Sequence, residues 1–301
     1  MTELELTTWR RVKTAALLAP SPSFDRRRVS NALASGFMLV SAAIAVSVLT
    51  LIVGNVVMSG WPALNLAFFT ERPLPPGEVG GGVAPAIIGT LLMVAVGSCI
   101  GVPVGVFTAV YLSEYGRGGL AHTVSFVIDL IAGLPSIAVG VFVWAFLVRN
   151  VVGQYNGLAG GVALAIVMIP IITRTVEETL RLVPDSLREA SLALGIPTWR
   201  TILRVVLPTA KAGLVTGVVL SLTRAGGETA PLLLTALGNQ FFNLDPRQPM
   251  AALSVQIYQY ARSPYPDWHA KAWAAALVLI TLGAALSAVT RWAIQGRRKF
   301  G

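Results

Sequence analysis

Between Val29 and Thr70 the chain carries no charged residue at all, and five later stretches are nearly as bare. Ala84–Leu112, Gly157–Thr173 and Ala272–Thr290 are uncharged. Thr123–Val148 holds one charge, Asp129, and the run that starts at Lys211 and ends at Leu237 holds Arg224 and Glu228. A helix needs about 20 mostly apolar residues to cross roughly 30 Å of hydrocarbon. Six such runs predict an all-α integral membrane protein with six transmembrane helices. Charged residues make up 12% of the 301, about half their share in soluble domains.

Orientation follows from Lys and Arg in the short flanks. Arg10, Arg11, Lys13, Arg26, Arg27 and Arg28 precede the first run, and Arg291, Arg297, Arg298 and Lys299 follow the last. Both termini are therefore expected in the cytoplasm, with sixteen of the 23 basic residues inside; the inverse topology would reverse that bias. The net charge of +9 is read as this topology plus attraction to anionic lipid rather than to nucleic acid. The first run lies behind some thirty residues and is too long for a signal segment, so it reads as a retained span. Cys99 stands alone. That excludes an intramolecular disulfide and any multi-cysteine metal site, and leaves it as a small packing residue.

Along the chain, residues 1–30 read as a basic cytoplasmic tail and 31–60 as the first transmembrane helix. Residues 61–83 read as an external loop rich in Pro and Gly. Residues 84–293 form a candidate membrane core and 294–301 a second basic tail. The longest cytoplasmic connection in the core is about 175–210. An external loop at about 238–271 holds Phe241, Phe242, Tyr258, Tyr260 and Trp268, either interfacial anchors or a docking surface for an external partner. There is no clear internal repeat.

The cytoplasmic connection has a pattern of its own. Ser186–Glu189 has the form of a capping box. Leu187, Ala190, Ser191 and Leu194 then share one helix face, and Gly195 is placed to stop that helix in a left-handed turn. Pro197 suits the start of a second helix, with Trp199, Ile202, Leu203 and Val206 on one face and Pro208 at its end. Two such short helices need a surface to pack on, either lipid headgroups or a partner. The spacing of Glu189-Ala190-Ser191, three residues, Gly195, nine residues, Val205, one residue, Leu207-Pro208 resembles the EAA loop of ABC-importer permeases, with Ser191 and Val205 as mild departures. The resemblance implies that Glu189, Ala190, Ser191, Gly195, Leu207 and Pro208 couple the chain to a separate ATPase. The chain itself has no G-x-x-x-x-G-K-[ST] loop.

Charges inside a bilayer cost roughly 2.5–3.5 kcal/mol each on insertion scales. Arg224 and Glu228, four residues apart, are expected on one helix face, where Gly226-Gly227 and Pro231 loosen the helix as at transport sites. Arg174 closes the fourth run. The Arg224–Glu228 pair either fixes helix packing or marks a pathway for an oxyanion, which a guanidinium matches while staying charged. Asp129 reads as a packing or gating partner. The stretch Arg224-Ala225-Gly226-Gly227-Glu228-Thr229-Ala230-Pro231-Leu232-Leu233 resembles the phosphate permease (PstA) family, as do Leu180–Ala190 and Ala132-Gly133-Leu134-Pro135-Ser136-Ile137. That resemblance implies a type I ABC importer permease fold in a prokaryotic inner membrane, with Arg174, Arg224 and Glu228 on the substrate pathway. It also implies a PstC-like second permease, a PstB-like ATPase dimer that binds ATP and Mg, and a PstS-like external phosphate-binding protein. No cofactor or metal is expected in this chain. Two other readings stand beside it: a permease for sulfate or molybdate, and a secondary anion transporter, which would explain Arg224 and Glu228 but not the EAA spacing. His122 and His269 are isolated, and neither H-E-x-x-H nor G-x-S-x-G occurs, so the chain is not expected to be an enzyme.

Overall fold

The computed structural model describes residues 22–78 and 80–298. Arg10, Arg11, Lys13 and Lys299 lie outside them. The chain divides into two compact units, Met1–Asn55 and Val56–Gly301. Helix α1, Pro22–Gly60, is the described part of the first unit and gives its last turn to the second. It begins eight residues before the expected tail ends. Pro22 suits the first turn of a helix, so the Arg26–Arg28 run lies on the helix rather than in front of it.

The second unit is built on a close helix pair. Helix α3, Ala84–Val110, runs parallel to α6, Gly157–Arg181. Between α1 and α3 comes α2, a short helix at Leu66–Thr70. Gly97, Gly101 and Gly105 recur every fourth residue of α3 and so share one face. A Cβ on Gly97 would stand 3.0 Å from the Gly161 carbonyl oxygen, and one on Gly105 would stand 2.8 Å from Cβ of Ile172. In lipid there is little hydrophobic drive between helices, so close backbone packing through small residues has to supply the association. The Thr173 hydroxyl donates across the pair to the Gly105 carbonyl at 3.2 Å. Met93, Leu164, Met168, Ile172, Val176 and Leu180 fill the buried seam.

The third apolar run is not a straight span. Helix α4, Gly118–Gly133, and α5, Ser136–Val143, meet at 102°, and a π-helical stretch, Trp144–Val152, extends α5. Pro135 has no N–H and pushes its predecessor away from helix, and Leu134 is extended at ψ 135°. Among the described residues five single helices are long and apolar enough to cross a membrane, or six spans if the bent pair counts as one. Among the described residues the regular elements are helical, apart from one isolated bridge between Leu237 and Met250.

Helix α7, Asp185–Ala193, and α8, Thr198–Thr201, form the insert after α6. Helix α9, Leu207–Gly226, then returns antiparallel along α6, with Gly213 against Thr179 and Gly217 against Thr175. The half-helix α10, Ala230–Thr235, packs on α5, where Gly140 lies against Pro231. Helix α11, Leu253–Ala261, and α12, Pro266–Arg298, complete the unit.

The end opposite the insert has a second core of Phe68, Val83, Leu253, Tyr260 and Ala274. The loop rich in Pro and Gly is folded onto it. The Lys271 ammonium donates to the Gly80 carbonyl at 2.8 Å, and the Gly81 N–H donates to Glu71 at 2.9 Å. The expected aromatic group therefore splits. Tyr260 is buried against Trp268, with ring centroids 4.8 Å apart, whereas Phe241 and Phe242 are exposed.

Candidate functional site

Both helix breaks open on one cavity of about 450 Å³. Leu134, Pro135 and Ser136 line it from the α4–α5 bend, Pro170 and Arg174 from α6, and Arg224 and Glu228 from the end of α9. Sequence reasoning placed all three charged residues on one path, and the fold brings them to one space. Helix α5 starts at the cavity wall, and a helix N-terminus favours negative charge.

The arrangement of Arg224 and Glu228 differs from the expected shared helix face. Helix α9 stops at Gly226, so Glu228 lies in the break before α10. The Ser254 hydroxyl holds that break by donating to the Glu228 carbonyl at 2.7 Å. Arg224 Nε stands 3.8 Å from Glu228 Oε1, an ion pair too long for a hydrogen bond. The Arg224 side chain is 66% exposed and that of Glu228 14%.

Arg174 is the opposite case. Its Nε donates to Asp129 at 2.9 Å, its Nη1 to Glu177 at 2.7 Å, and its Nη2 to the Ser125 hydroxyl at 2.8 Å and carbonyl at 3.0 Å. Glu177 is buried and also accepts from Arg181 at 2.7 Å. Arg174 thus ties α6 to α4, with Asp129 as its exposed partner. Gly217 lies against Thr175; Arg224, seven residues on, stands about 10 Å farther from the insert at 1.5 Å per residue. Glu177 and Ser125 escaped the sequence reading. The spacing of Arg174, Glu177 and Arg181 at i, i+3 and i+7 pointed to Glu177; nothing local pointed to Ser125.

In the insert, the capping box does not form. Helix α7 starts at Asp185 after Pro184, without a side-chain cap, so Ser186 sits inside its first turn. Pro184 fixes the entry and Asp185 favours the positive end of the helix. Gly195 does adopt the left-handed turn, at φ +73°, and the Ile196 N–H returns to the Ser191 carbonyl at 3.2 Å. Pro197 precedes α8 rather than starting it. Pro208 does not end the second helix either. The π-helical turn Ile202–Val206 widens the hydrogen-bond register before the proline, with the Leu207 N–H bonded to the Ile202 carbonyl. Thr198–Gly226 is therefore one continuous 29-residue helix.

The two apolar faces expected on the insert divide by role. Ile202 and Val206 are buried, and the Ser191 and Thr201 hydroxyls meet at 2.8 Å inside the insert. Leu187, Leu194, Trp199 and Leu203 are exposed, as are Glu189 and Ala190. Ser191 staples the two helices together, while its neighbours in the motif face outward. The Leu207 and Pro208 pair lies farther along, within the continuous helix.

Against known proteins, the family described as binding-protein-dependent transport system inner membrane components matches residues 101–299. The phosphate transport system permease protein PstA of Pasteurella multocida (strain Pm70) is 44% identical over 260 residues, 86% of this chain and 92% of its own length. PstA of Yersinia pestis is 41% identical over 274 residues, 91% of this chain and 92% of its own length. PstA 1 of Mycobacterium tuberculosis (strain H37Rv) is 38% identical, covering 91% of each chain. Among solved structures, an inward-facing MetNI methionine ABC transporter aligns with a TM-score of 0.57 at 26% identity, over 71% of this chain and 94% of its own. An ABC transporter for import of the acidic polysaccharide alginate shares the fold, with a TM-score of 0.57 at 15% identity over 90% and 99%. The bent third span, the EAA-like insert and these alignments over nearly the whole length of the relatives place the chain in the family of binding-protein-dependent ABC-importer permeases, on its PstA branch.

Proposed function

We propose that this chain is the permease subunit of an ATP-driven importer of inorganic phosphate, forming half of the translocation path. The carrying observation is Arg224, an exposed guanidinium without a hydrogen bond among the described residues, facing a cavity that also holds Glu228 and Arg174. Guanidinium offers two parallel donors to an oxyanion and stays charged when water is removed. The nearby Glu228 carboxylate balances the charge of the empty site and weakens the hold on a bound anion, which suits passage rather than storage. Toward the insert the anion meets Arg174, where it displaces exposed Asp129 more readily than buried Glu177.

The insert is the coupling element. Its exposed Leu187, Glu189, Leu194, Trp199 and Leu203 form the face offered to a PstB-like ATPase dimer, which holds the ATP and Mg. A PstC-like permease completes the path, and a PstS-like protein delivers phosphate on the side opposite the insert. The insert and both termini then lie in the cytoplasm, as the distribution of Lys and Arg requires.

The test is uptake of labelled phosphate by vesicles holding the four-component complex, with and without internal ATP, against excess sulfate. ATP-dependent uptake that sulfate leaves unchanged is the expected result. ATP-driven uptake of sulfate in its place would overturn the assignment of Arg224–Leu233 to phosphate. Uptake indifferent to ATP in an assembled complex would overturn the importer reading itself.

A further inference from the structure

Arg188 directly precedes the EAA-like motif, and its guanidinium is saturated. Nη2 and Nε donate to the two carboxylate oxygens of Glu114 at 2.7 and 3.0 Å. Nη1 donates to the Val183 carbonyl at 2.6 Å and to Asp185 at 3.0 Å, and Nη2 also reaches the Leu180 carbonyl at 3.0 Å. The Glu114 side chain is 6% exposed and that of Arg188 19%. Glu114 belongs to the π-helical turn Tyr111–Tyr115 that extends α3. Leu180 and Val183 lie at the end of α6, where carbonyls have lost their helical partners. One side chain on α7 thus grips the ends of both members of the glycine-packed pair. A fork-to-fork Arg–carboxylate pair fixes orientation as well as distance.

Covalent continuity does not supply this link to α3. The insert is continuous with α9 through Thr198–Gly226, so movement of the insert reaches the Arg224 wall of the cavity along a rod. The opposite wall, α6 with Arg174, is rigidly packed on α3. Within the insert, Ser191–Thr201 and the buried Ile202 and Val206 hold α7 and α8 without Arg188.

We infer that the Arg188–Glu114 pair is a positioning clamp that carries movement of the coupling helix into the α3–α6 pair, so that the two cavity walls move together. This rests on the importer reading above. The clamp keeps α7 from sliding when a partner ATPase pulls on it. Without the clamp, ATP is still hydrolysed but less of each stroke reaches Arg174.

The assay is phosphate transported per ATP hydrolysed by the full complex in vesicles. It compares the wild type with Arg188→Gln, Glu114→Gln and the exchanged pair Glu114→Arg/Arg188→Glu. Arg188→Gln and Glu114→Gln are expected to lower the ratio about tenfold, the size of a common coupling free energy between sites, with ATPase bound per permease unchanged. The exchanged pair is expected to recover part of it. An unchanged ratio in both single variants would overturn the clamp, as would loss of ATPase binding in both, which would make the pair a folding element. Glu114→Gln leaves the carbonyl contacts of Arg188 in place and decides the matter if Arg188→Gln alone fails to assemble. Absence of ATP-driven phosphate uptake in the wild type would instead sink the importer reading. The clamp, which rests on that reading, would fall with it, an outcome distinct from an unchanged ratio in an active complex.

Discussion

Replacing Arg224 with Gln removes one positive charge from the cavity while keeping a hydrogen-bonding side chain of similar reach. An oxyanion in contact would lie about 4 Å from the guanidinium. At an effective dielectric of about 20 a unit pair at that distance is worth about 4 kcal/mol. Arg224 is 66% exposed, so water screens it, and half that value, about 2 kcal/mol, is a fair working figure. At 1.36 kcal/mol per decade this slows passage of singly charged phosphate about 30-fold, and of the doubly charged form about a thousandfold. Glu228, 14% exposed, then faces the anion uncompensated and deepens the loss. Arg224→Gln/Glu228→Gln, which removes that repulsion, is therefore expected to transport better than Arg224→Gln alone. Stability should change little, because the one ionic contact of Arg224 among the described residues is the 3.8 Å approach to Glu228. The measurement is initial uptake of labelled phosphate by assembled complex, with ATPase activity read in parallel. Wild-type uptake by Arg224→Gln, or a double variant slower than the single one, would refute the electrostatic reasoning.

Five further substitutions at four positions test separate parts of the structure. Glu177→Gln strips the buried partner shared by Arg174 and Arg181 and should cost about 3 kcal/mol. Asp129→Asn, at a 63% exposed carboxylate, should cost about 1 kcal/mol or less; thermal unfolding in detergent that ranks them the other way would refute the burial argument. Gly161→Leu drives a side chain into Val96 across the α3–α6 seam and should cost roughly 1–3 kcal/mol or more of overpacking, visible as lower yield of folded protein and a lower Tm. Gly195 sits at φ +73° with nothing within 4 Å of its would-be Cβ. Gly195→Asn should therefore keep transport, while Gly195→Val, forced into a conformation costing roughly 1–2 kcal/mol, should lower phosphate uptake; equal loss in both would assign the need for glycine to the partner's surface.

Apolar length was enough to read the membrane class, and a glycine after an amphipathic face was enough to read the left-handed turn at Gly195. Spacing was enough to single out the two short helices of the insert, and charge within apolar runs to single out Arg174, Arg224 and Glu228, which line one cavity. What escaped depended on the path of the backbone. A run such as Thr123–Val148 looks like one span because hydropathy ignores direction, whereas Pro135 turns it by 102°. The i, i+4 argument for Arg224 and Glu228 assumed a helix that Gly226 in fact ends. Pro208 looks like a stop because proline lacks an N–H, and a π-helical turn carries the chain past it. The glycines at 97, 101 and 105 were legible as a four-residue repeat, yet their partners on α6 are more than sixty residues away. The Arg188–Glu114 pair spans 74 residues and has no local trace at all.

The two arginines of the cavity illustrate how one residue type does two jobs. A guanidinium with four of its five N–H donors engaged, as that of Arg174 is, holds a passing anion in full only by giving up partners, and leaving a buried partner such as Glu177 unpaired is costly. Arg174, tied to Asp129, Glu177 and Ser125, is therefore a joint between α4 and α6 first and a ligand only when Asp129 yields. Arg224 has no such engagement among the described residues, and on the proposed function it meets the anion first. The joint lies nearer the insert and the free cation about 10 Å farther along α9. Each stands on a wall that the insert joins differently, α9 by continuous helix and α6 by the short 182–184 connection, with Arg188 adding the tie to α3. On the proposed function, a stroke delivered to the insert would open the joint at Arg174 while Arg224 presents the anion to it, the order that uptake toward the insert side requires.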